Sequence, residues 1–132
     1  MIYLDASALV TMVLGRRNST ELDDFLDAHG NVRTCTSTVG LVETVRACDR
    51  IGTFPHLMAS LARDHDEISL DNEIRDAATR IPGNIRALDA LHLASAQVLG
   101  SALTALVTYD KRMAEIAHAA GLPVAMPCVS SS

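Results

Sequence analysis

The chain has 132 residues, 48% of them hydrophobic and 20% charged, which suits one compact domain and leaves no room for two. Tyr3, Phe25, Phe54 and Tyr109 are its only Tyr, Phe or Trp residues, so the core must be aliphatic and an aromatic base-stacking platform for single-stranded RNA is disfavoured. Sixteen acidic residues against eleven basic ones, ten of which are Arg, give a net charge of −5; the surface as a whole does not attract a polyanion, although local patches can.

Residues 1–4 form a short apolar run ending at Asp5, the pattern of a central parallel strand covered on both faces. Helix formers over 6–14 stop at Gly15, and Asn18-Ser19-Thr20 caps a second helix over 21–28, ended by Gly30. A thin strand signal over 32–36 precedes a helix capped by Ser37 or Thr38 that carries Val39, Val42 and Val45 and runs to about Ile51. Residues 55–63 read as a short helix, 67–70 as a strand, and Asp71-Asn72 as the cap of a helix over 73–80. After the loop Ile81-Pro82-Gly83-Asn84, a helix over about 86–99 places Leu88, Leu91, Ser95, Val98 and Leu99 on one stripe. A buried strand over 104–108, a helix over 111–120 and an edge strand over 123–126 complete the chain before a polar tail of serines. Strands alternating with helices at this spacing predict an α/β fold, a mostly parallel sheet with helices on both faces.

Cys35, Cys48 and Cys128 are odd in number, widely spaced and without a C-x-x-C pair, so neither a disulfide framework nor a zinc knuckle is supported. Small buried apolar thiols in a reducing cytoplasm fit best. The N-terminus lacks the basic segment of a secretory signal and already carries Asp5. Residues 90–109 hold no formal charge, but they break at Gly100-Ser101 into a helical and a strand-like half, so they read as two buried elements rather than a membrane span.

In an open parallel sheet, functional groups gather at the carboxyl ends of the strands near a switch in strand order. Asp5 and Asp110 both end strands and open onto that edge; Glu43 sits inside the apolar pattern Val39-x-x-Val42-Glu43-x-Val45, and Asp89 occupies the first turn of its helix. Each also has a structural reading. Asp5 and Asp110 suit helix N-caps, Asp89 suits a helix dipole, and Glu43 has Arg46 as a salt-bridge partner one turn on.

Four blocks then carry a likeness: Met1-Ile2-Tyr3-Leu4-Asp5-Ala6-Ser7, Leu41-Val42-Glu43 with Arg46, Arg86-Ala87-Leu88-Asp89-Ala90-Leu91-His92, and Val107-Thr108-Tyr109-Asp110-Lys111-Arg112-Met113. In order and separation they resemble the PIN-domain ribonucleases, and within them the small VapC-type toxins of bacterial toxin–antitoxin pairs. The resemblance covers essentially the whole chain. It implies one PIN-like nuclease domain over residues 1–132, a three-layer α/β/α fold around a sheet of four to five strands, and a metal-binding catalytic cluster of Asp5, Glu43, Asp89 and Asp110. The implied activity is Mg²⁺- or Mn²⁺-dependent endoribonucleolytic hydrolysis leaving a 3′-hydroxyl and a 5′-phosphate, with inhibition of translation as its outcome. The implied partners are RNA, a second copy in a homodimer, and a cognate VapB-type antitoxin whose C-terminal segment lies along the active-site groove, the whole forming a larger assembly away from any membrane.

The chemistry suits those residue types. Carboxylates about 6 Å apart repel by roughly 3 kcal/mol per pair at an effective dielectric near 20, and hard cations relieve that through oxygen ligands. In this scheme Asp5, Glu43 and Asp89 ligate one or two ions directly or through one water, while Asp110 holds a second ion or a coordinated water. Ser7 and Thr108 either hydrogen-bond Asp5 or substrate phosphate, or simply start helices. His92, one turn after Asp89, orients a carboxylate, contacts RNA or packs as a structural histidine. Two divalent ions would bring −5 to −1, and Arg16, Arg17, Arg46, Arg50, Arg86, Lys111 and Arg112 lie where phosphate can reach them, Arg86 and Arg112 beside the site blocks. Apolar residues between 20 and 63, among them Leu22, Phe25, Leu26, Phe54, Leu57, Met58 and Leu61, supply an antitoxin surface.

Two other readings compete. A receiver-like phosphoacceptor needs an acidic pair right after the first strand, where this chain has only Asp5-Ala6-Ser7, although Lys111 after Asp110 is a partial match. A haloacid-dehalogenase-like phosphatase needs a second Asp where Ser7 stands, and a non-catalytic PIN-like binding module leaves the four acids without a use.

Overall fold

The computed structural model describes residues 1–129; the Ser130–Ser132 end of the polar tail lies outside the described residues. Five strands, β1 (Ile2–Leu4), β2 (Thr34–Ser37), β3 (Asp66–Ile68), β4 (Ala105–Val107) and β5 (Val124–Ala125), form one entirely parallel sheet in the order β3-β2-β1-β4-β5. The helices are α1 (Ala6–Leu14), α2 (Ser19–Ala28), α3 (Thr38–Asp49), α4 (Leu57–Asp64), α5 (Asn72–Thr79), α6 (Ala87–Gln97) and α7 (Lys111–Ala119), and a short 3₁₀ turn covers Gly100–Ala102.

The apolar run of β1 is buried on both sides because side chains alternate along a strand. Ile2 and Leu4 meet Leu9 of α1, Leu22 of α2, Leu41 of α3 and Leu61 of α4; Tyr3 points the other way, into Leu93 and Ala96 of α6 and Met113 and Ala117 of α7. The result is three layers. α5 packs on α6. From β1 the chain moves outward through β2 and β3, then returns to the other side of β1 for β4 and β5. This reversal places a crevice at the carboxyl ends of β1 and β4.

Helix starts follow their caps. Asp5, Ser37, Asp71 and Asp110 each accept backbone N–H bonds from the first turns of α1, α3, α5 and α7. Asn18 does not act as expected: it holds a left-handed backbone conformation, makes no side-chain cap, and its Oδ1 accepts from Val129 N at 2.9 Å. The α6 stripe also differs, since Leu88 and Val98 are exposed while Ala90, Leu93, Ala94, Ser95 and Ala96 are buried. Small side chains around Leu93 and His92 let α6 lie close to the sheet, and Leu88 and Val98 face outward. Leu22 and Leu61, expected on a partner surface, are core residues, and Phe25, Leu26 and Leu57 pack against that core; Met58 remains exposed. Among the described residues no helix is long and apolar enough to cross a membrane, and 90–109 divide at the 3₁₀ turn. Cys35 and Cys48 are buried free thiols, burial pushing Cys35 up to about 11, whereas Cys128 is exposed.

His65, between α4 and β3, is buried with Nδ1 2.7 Å from Thr34 Oγ1. Burial pushes its imidazole below the ordinary range, outweighing the opposite pull of Asp64 and Asp66. The neutral ring is therefore favoured in the fold, so its stabilisation is present above the unfolded value of about 6.5 and is lost as pH falls through the lower folded value. Thermal melts in chelator should show Tm falling from pH 7 to pH 5, and His65→Gln should flatten part of that fall; an unchanged slope in the variant would dismiss His65 as its source.

Candidate active site

The crevice is fixed by Asp5. Its side chain is 2% exposed and accepts three hydrogen bonds: Oδ1 from Ala8 N at 2.9 Å and Ser7 Oγ at 2.6 Å, Oδ2 from Thr108 Oγ1 at 2.5 Å. The two hydroxyls also accept, Ser7 Oγ from Tyr109 N at 2.8 Å and Thr108 Oγ1 from Asp110 N at 3.1 Å. Asp5 thereby starts α1 and anchors the segment leaving β4. Burial pushes its carboxyl above the usual range, more than the bonds from Ser7, Thr108 and Ala8 lower it.

The other three carboxylates reach the same cavity from different elements. Asp5, Glu43 of α3, Asp89 of α6 and Asp110 before α7 line a space of about 110 Å³ together with Ser7, Arg86, His92 and Met113. Each acid has its own partner. Glu43 Oε1 lies 2.7 Å from His92 Nε2, Asp89 Oδ2 accepts from Arg86 Nε at 3.2 Å, and Asp110 Oδ1 accepts from the amides of Arg112 and Met113 at 2.9 and 3.2 Å. The Glu43–Arg46 pairing, the structural alternative read from the sequence, does not form; Glu43 pairs with His92 because the buried imidazole is delivered from α6 to the same cavity.

Arg86 stands at the cavity, 82% exposed along its side chain. Arg112 lies outside that arrangement, its guanidinium donating to the Asn84 carbonyl. Arg46 lines a neighbouring groove of about 470 Å³ with Val39, Val42, Arg50 and Leu88, and Glu43 belongs to both spaces. Two residues lie within the four sequence blocks but receive no role from the sequence reading: Met113, which closes part of the cavity, and Tyr3, whose hydroxyl lies 2.8 Å from His92 Nδ1. Tyr3 sits in an apolar strand 89 residues from its partner, and nothing local marks it as more than core.

The donor set tests directly for a hard divalent cation. Four carboxylates line one cavity with space for an ion and several waters. Among the described residues, however, no three His, Cys, Asp or Glu side chains come close enough together to hold an ion as they stand. Each carboxylate is bonded instead to a donor or cation of its own. The residue types and their convergence fit Mg²⁺ or Mn²⁺, with water completing the shell.

Comparison with known proteins agrees with this architecture. The PIN domain family profile matches residues 2–119. Ribonuclease VapC35 of Mycobacterium tuberculosis is 42% identical over 132 residues, covering 96% of this chain and 97% of that protein. Ribonuclease VapC47 of the same species is 35% identical with the same coverage. Among solved structures, a chain of the FitAcB crystal structure from Neisseria gonorrhoeae superposes with a TM-score of 0.65 at 17% identity, covering 96% of this chain and 98% of that one. The chain therefore belongs to the PIN-domain family and, within it, to the VapC type. That membership sets aside the receiver-like and phosphatase readings.

Because the Asp5 carboxyl is raised in the fold, stability present below the unfolded value of about 3.9 is lost as pH rises through the folded value. A neutral amide side chain at this position escapes that loss, with Thr108 turning its hydroxyl to accept. Asp5→Asn should raise Tm in chelator at pH 7.5 by a few degrees, at about 4 °C per kcal/mol for a domain of this size; a lowered Tm would mean the hydrogen bonds outweigh the burial.

Proposed function

We propose that this chain is a divalent-metal-dependent endoribonuclease acting as the toxin of a toxin–antitoxin pair, with Asp5, Glu43, Asp89 and Asp110 as the metal-binding and catalytic set. The observation that carries the reading is the convergence of these four carboxylates on one cavity at the reversal of strand order. The ribonuclease names of its VapC relatives support the reaction class. The whole of residues 1–132 is one nuclease domain in this reading, working in the cytoplasm as a homodimer, held by a VapB-type antitoxin until release and then arresting translation by cutting RNA.

One or two Mg²⁺ or Mn²⁺ ions, when bound, supply the positive charge that offsets the phosphodiester and sharpens water as a nucleophile. The chain's own residues do the rest. Asp5, immobilised by Ser7, Thr108 and the Ala8 amide, gives the site a fixed ligand. Glu43 and Asp89 face it from α3 and α6, so substrate phosphate is confined among three elements of the rigid sheet–helix frame. Asp110 is tied to the first turn of α7 and serves a second ion or a water. Arg86 is the cation nearest the reacting phosphate, and Arg46 and Arg50 flank the adjoining groove along which the strand continues.

Asp5→Asn and Asp89→Asn should each lower Mg²⁺-dependent RNA cleavage by at least about a hundredfold while retaining a cooperative melt, and Mn²⁺ should raise Tm in the unmodified chain but not in Asp5→Asn. Undiminished cleavage by either variant, or an equal Mn²⁺ shift in Asp5→Asn, would overturn the metal-centred reading. Arg86→Ala should weaken RNA binding and reduce the slope of log affinity against log salt by about 1. A slope identical to that of the unmodified chain would remove Arg86 from the phosphate path.

A further inference from the structure

Below the carboxylate cavity, three side chains form a continuous line from the sheet to the rim. The Tyr3 hydroxyl of β1 meets Nδ1 of His92, and Nε2 of that ring meets Glu43 Oε1 of α3. Tyr3 is fully buried, His92 is 1% exposed, and only Glu43 emerges, its side chain 32% exposed. A carboxylate only accepts, so the Nε2–H donates to Glu43; Nδ1 of the neutral ring is then an acceptor, and the Tyr3 hydroxyl donates to it. For the neutral ring the proton positions along the line are thus set from the Glu43 end.

The ring is also held sterically. It meets the Tyr3 ring edge-on at 5.8 Å and 81°, and a Cβ added to Gly40 would stand 3.4 Å from His92 Cε1 and only 1.9 Å from Thr36 Oγ1. Glycine at position 40 is what lets α3 approach Thr36 of β2, with the imidazole in ordinary contact distance beside it. Glu43 Oε2 has no hydrogen-bond partner among the described residues, so the line restrains one oxygen and leaves the other unbonded on a residue that lines the cavity.

We propose that Tyr3 and His92 are positioning residues which fix the imidazole tautomer and aim the Glu43 carboxylate, so that its second oxygen is presented to a divalent cation. This rests on the cavity being a divalent-cation site. Groups that hydrogen-bond a metal-binding carboxylate or imidazole set its orientation, and removing such a group commonly lowers metal affinity by about 10- to 100-fold. Tyr3 acts on Glu43 through two hydrogen bonds, by way of His92, and should contribute less than His92.

Mn²⁺ binding by calorimetry on the full chain, with Tm in chelator as the check on folding, tests the assignment. Tyr3→Phe should weaken Mn²⁺ binding several-fold and His92→Phe by about 10- to 100-fold. His92→Gln, whose amide can still donate, should recover part of the loss. RNA cleavage by Tyr3→Phe should return toward the unmodified kcat at saturating Mn²⁺, a recovery that a purely structural role would not give. In a Glu43→Gln background, Tyr3→Phe should add no further loss. Unchanged Mn²⁺ affinity in a folded Tyr3→Phe and His92→Phe, or a fully additive loss in the Glu43→Gln background, overturns the positioning role. Should His92→Phe fail to fold, Tyr3→Phe decides. Asp5→Asn separates the two claims: if it too binds Mn²⁺ normally, the cation site itself is refuted, whereas if it alone loses binding, only the Tyr3–His92 assignment falls.

Discussion

A carboxylate buried at the end of the central strand governs this molecule. Asp5 is taken out of water at the point where β1 gives way to α1, and such burial is tolerable only with its acceptor sites filled. Ala8 N, Ser7 Oγ and Thr108 Oγ1 fill them. Because each hydroxyl also receives an amide from the segment after β4, one carboxyl group joins the first helix to the far side of the strand reversal. The network that starts α1 is the same one that lines the cavity, so the shape of the cavity follows from the integrity of the sheet.

Electrostatics shapes what surrounds it. Four acids on one cavity cannot lie in contact without a compensating charge, and each is held apart by a partner of its own: hydroxyls for Asp5, an imidazole for Glu43, a guanidinium for Asp89 and helix amides for Asp110. These partners are hydrogen-bond donors spread around the cavity, one set for each acid. The arginines divide accordingly. Arg33, Arg63 and Arg75 are matched to exposed acids on the surface, while Arg86 stands at the cavity and Arg46 and Arg50 line the groove beside it. A net charge of −5 is therefore compatible with an anionic substrate, since the charge that matters is local.

Much of the architecture is legible in the sequence because local chemistry and global fold agree. The span of α1, the caps Ser37 and Asp71, and the break at Gly100 follow from residue type alone. The α6 stripe misleads in part: Ser95 is buried and Leu99 packs on the core, but Leu88 and Val98 face outward, because small residues such as Ala90, Ala94 and Ala96 share the packing with Leu93. Leu22 and Leu61 mislead in the opposite sense, as partner surface, because amphipathicity does not say whether the covering layer comes from the same chain.

The order of elements, the acids at strand ends and the blocks around Asp5, Glu43, Asp89 and Asp110 were written in the sequence, because capping, alternation and spacing act over a few residues. Which donor serves which acid was decided only by the tertiary structure. Glu43 takes His92 instead of the nearby Arg46, and Tyr3 joins them from the middle of a strand. Those partnerships span 49 and 89 residues, and no local rule reaches that far; they exist because a parallel sheet with one reversal of strand order brings α3, α6 and β1 to a single crevice.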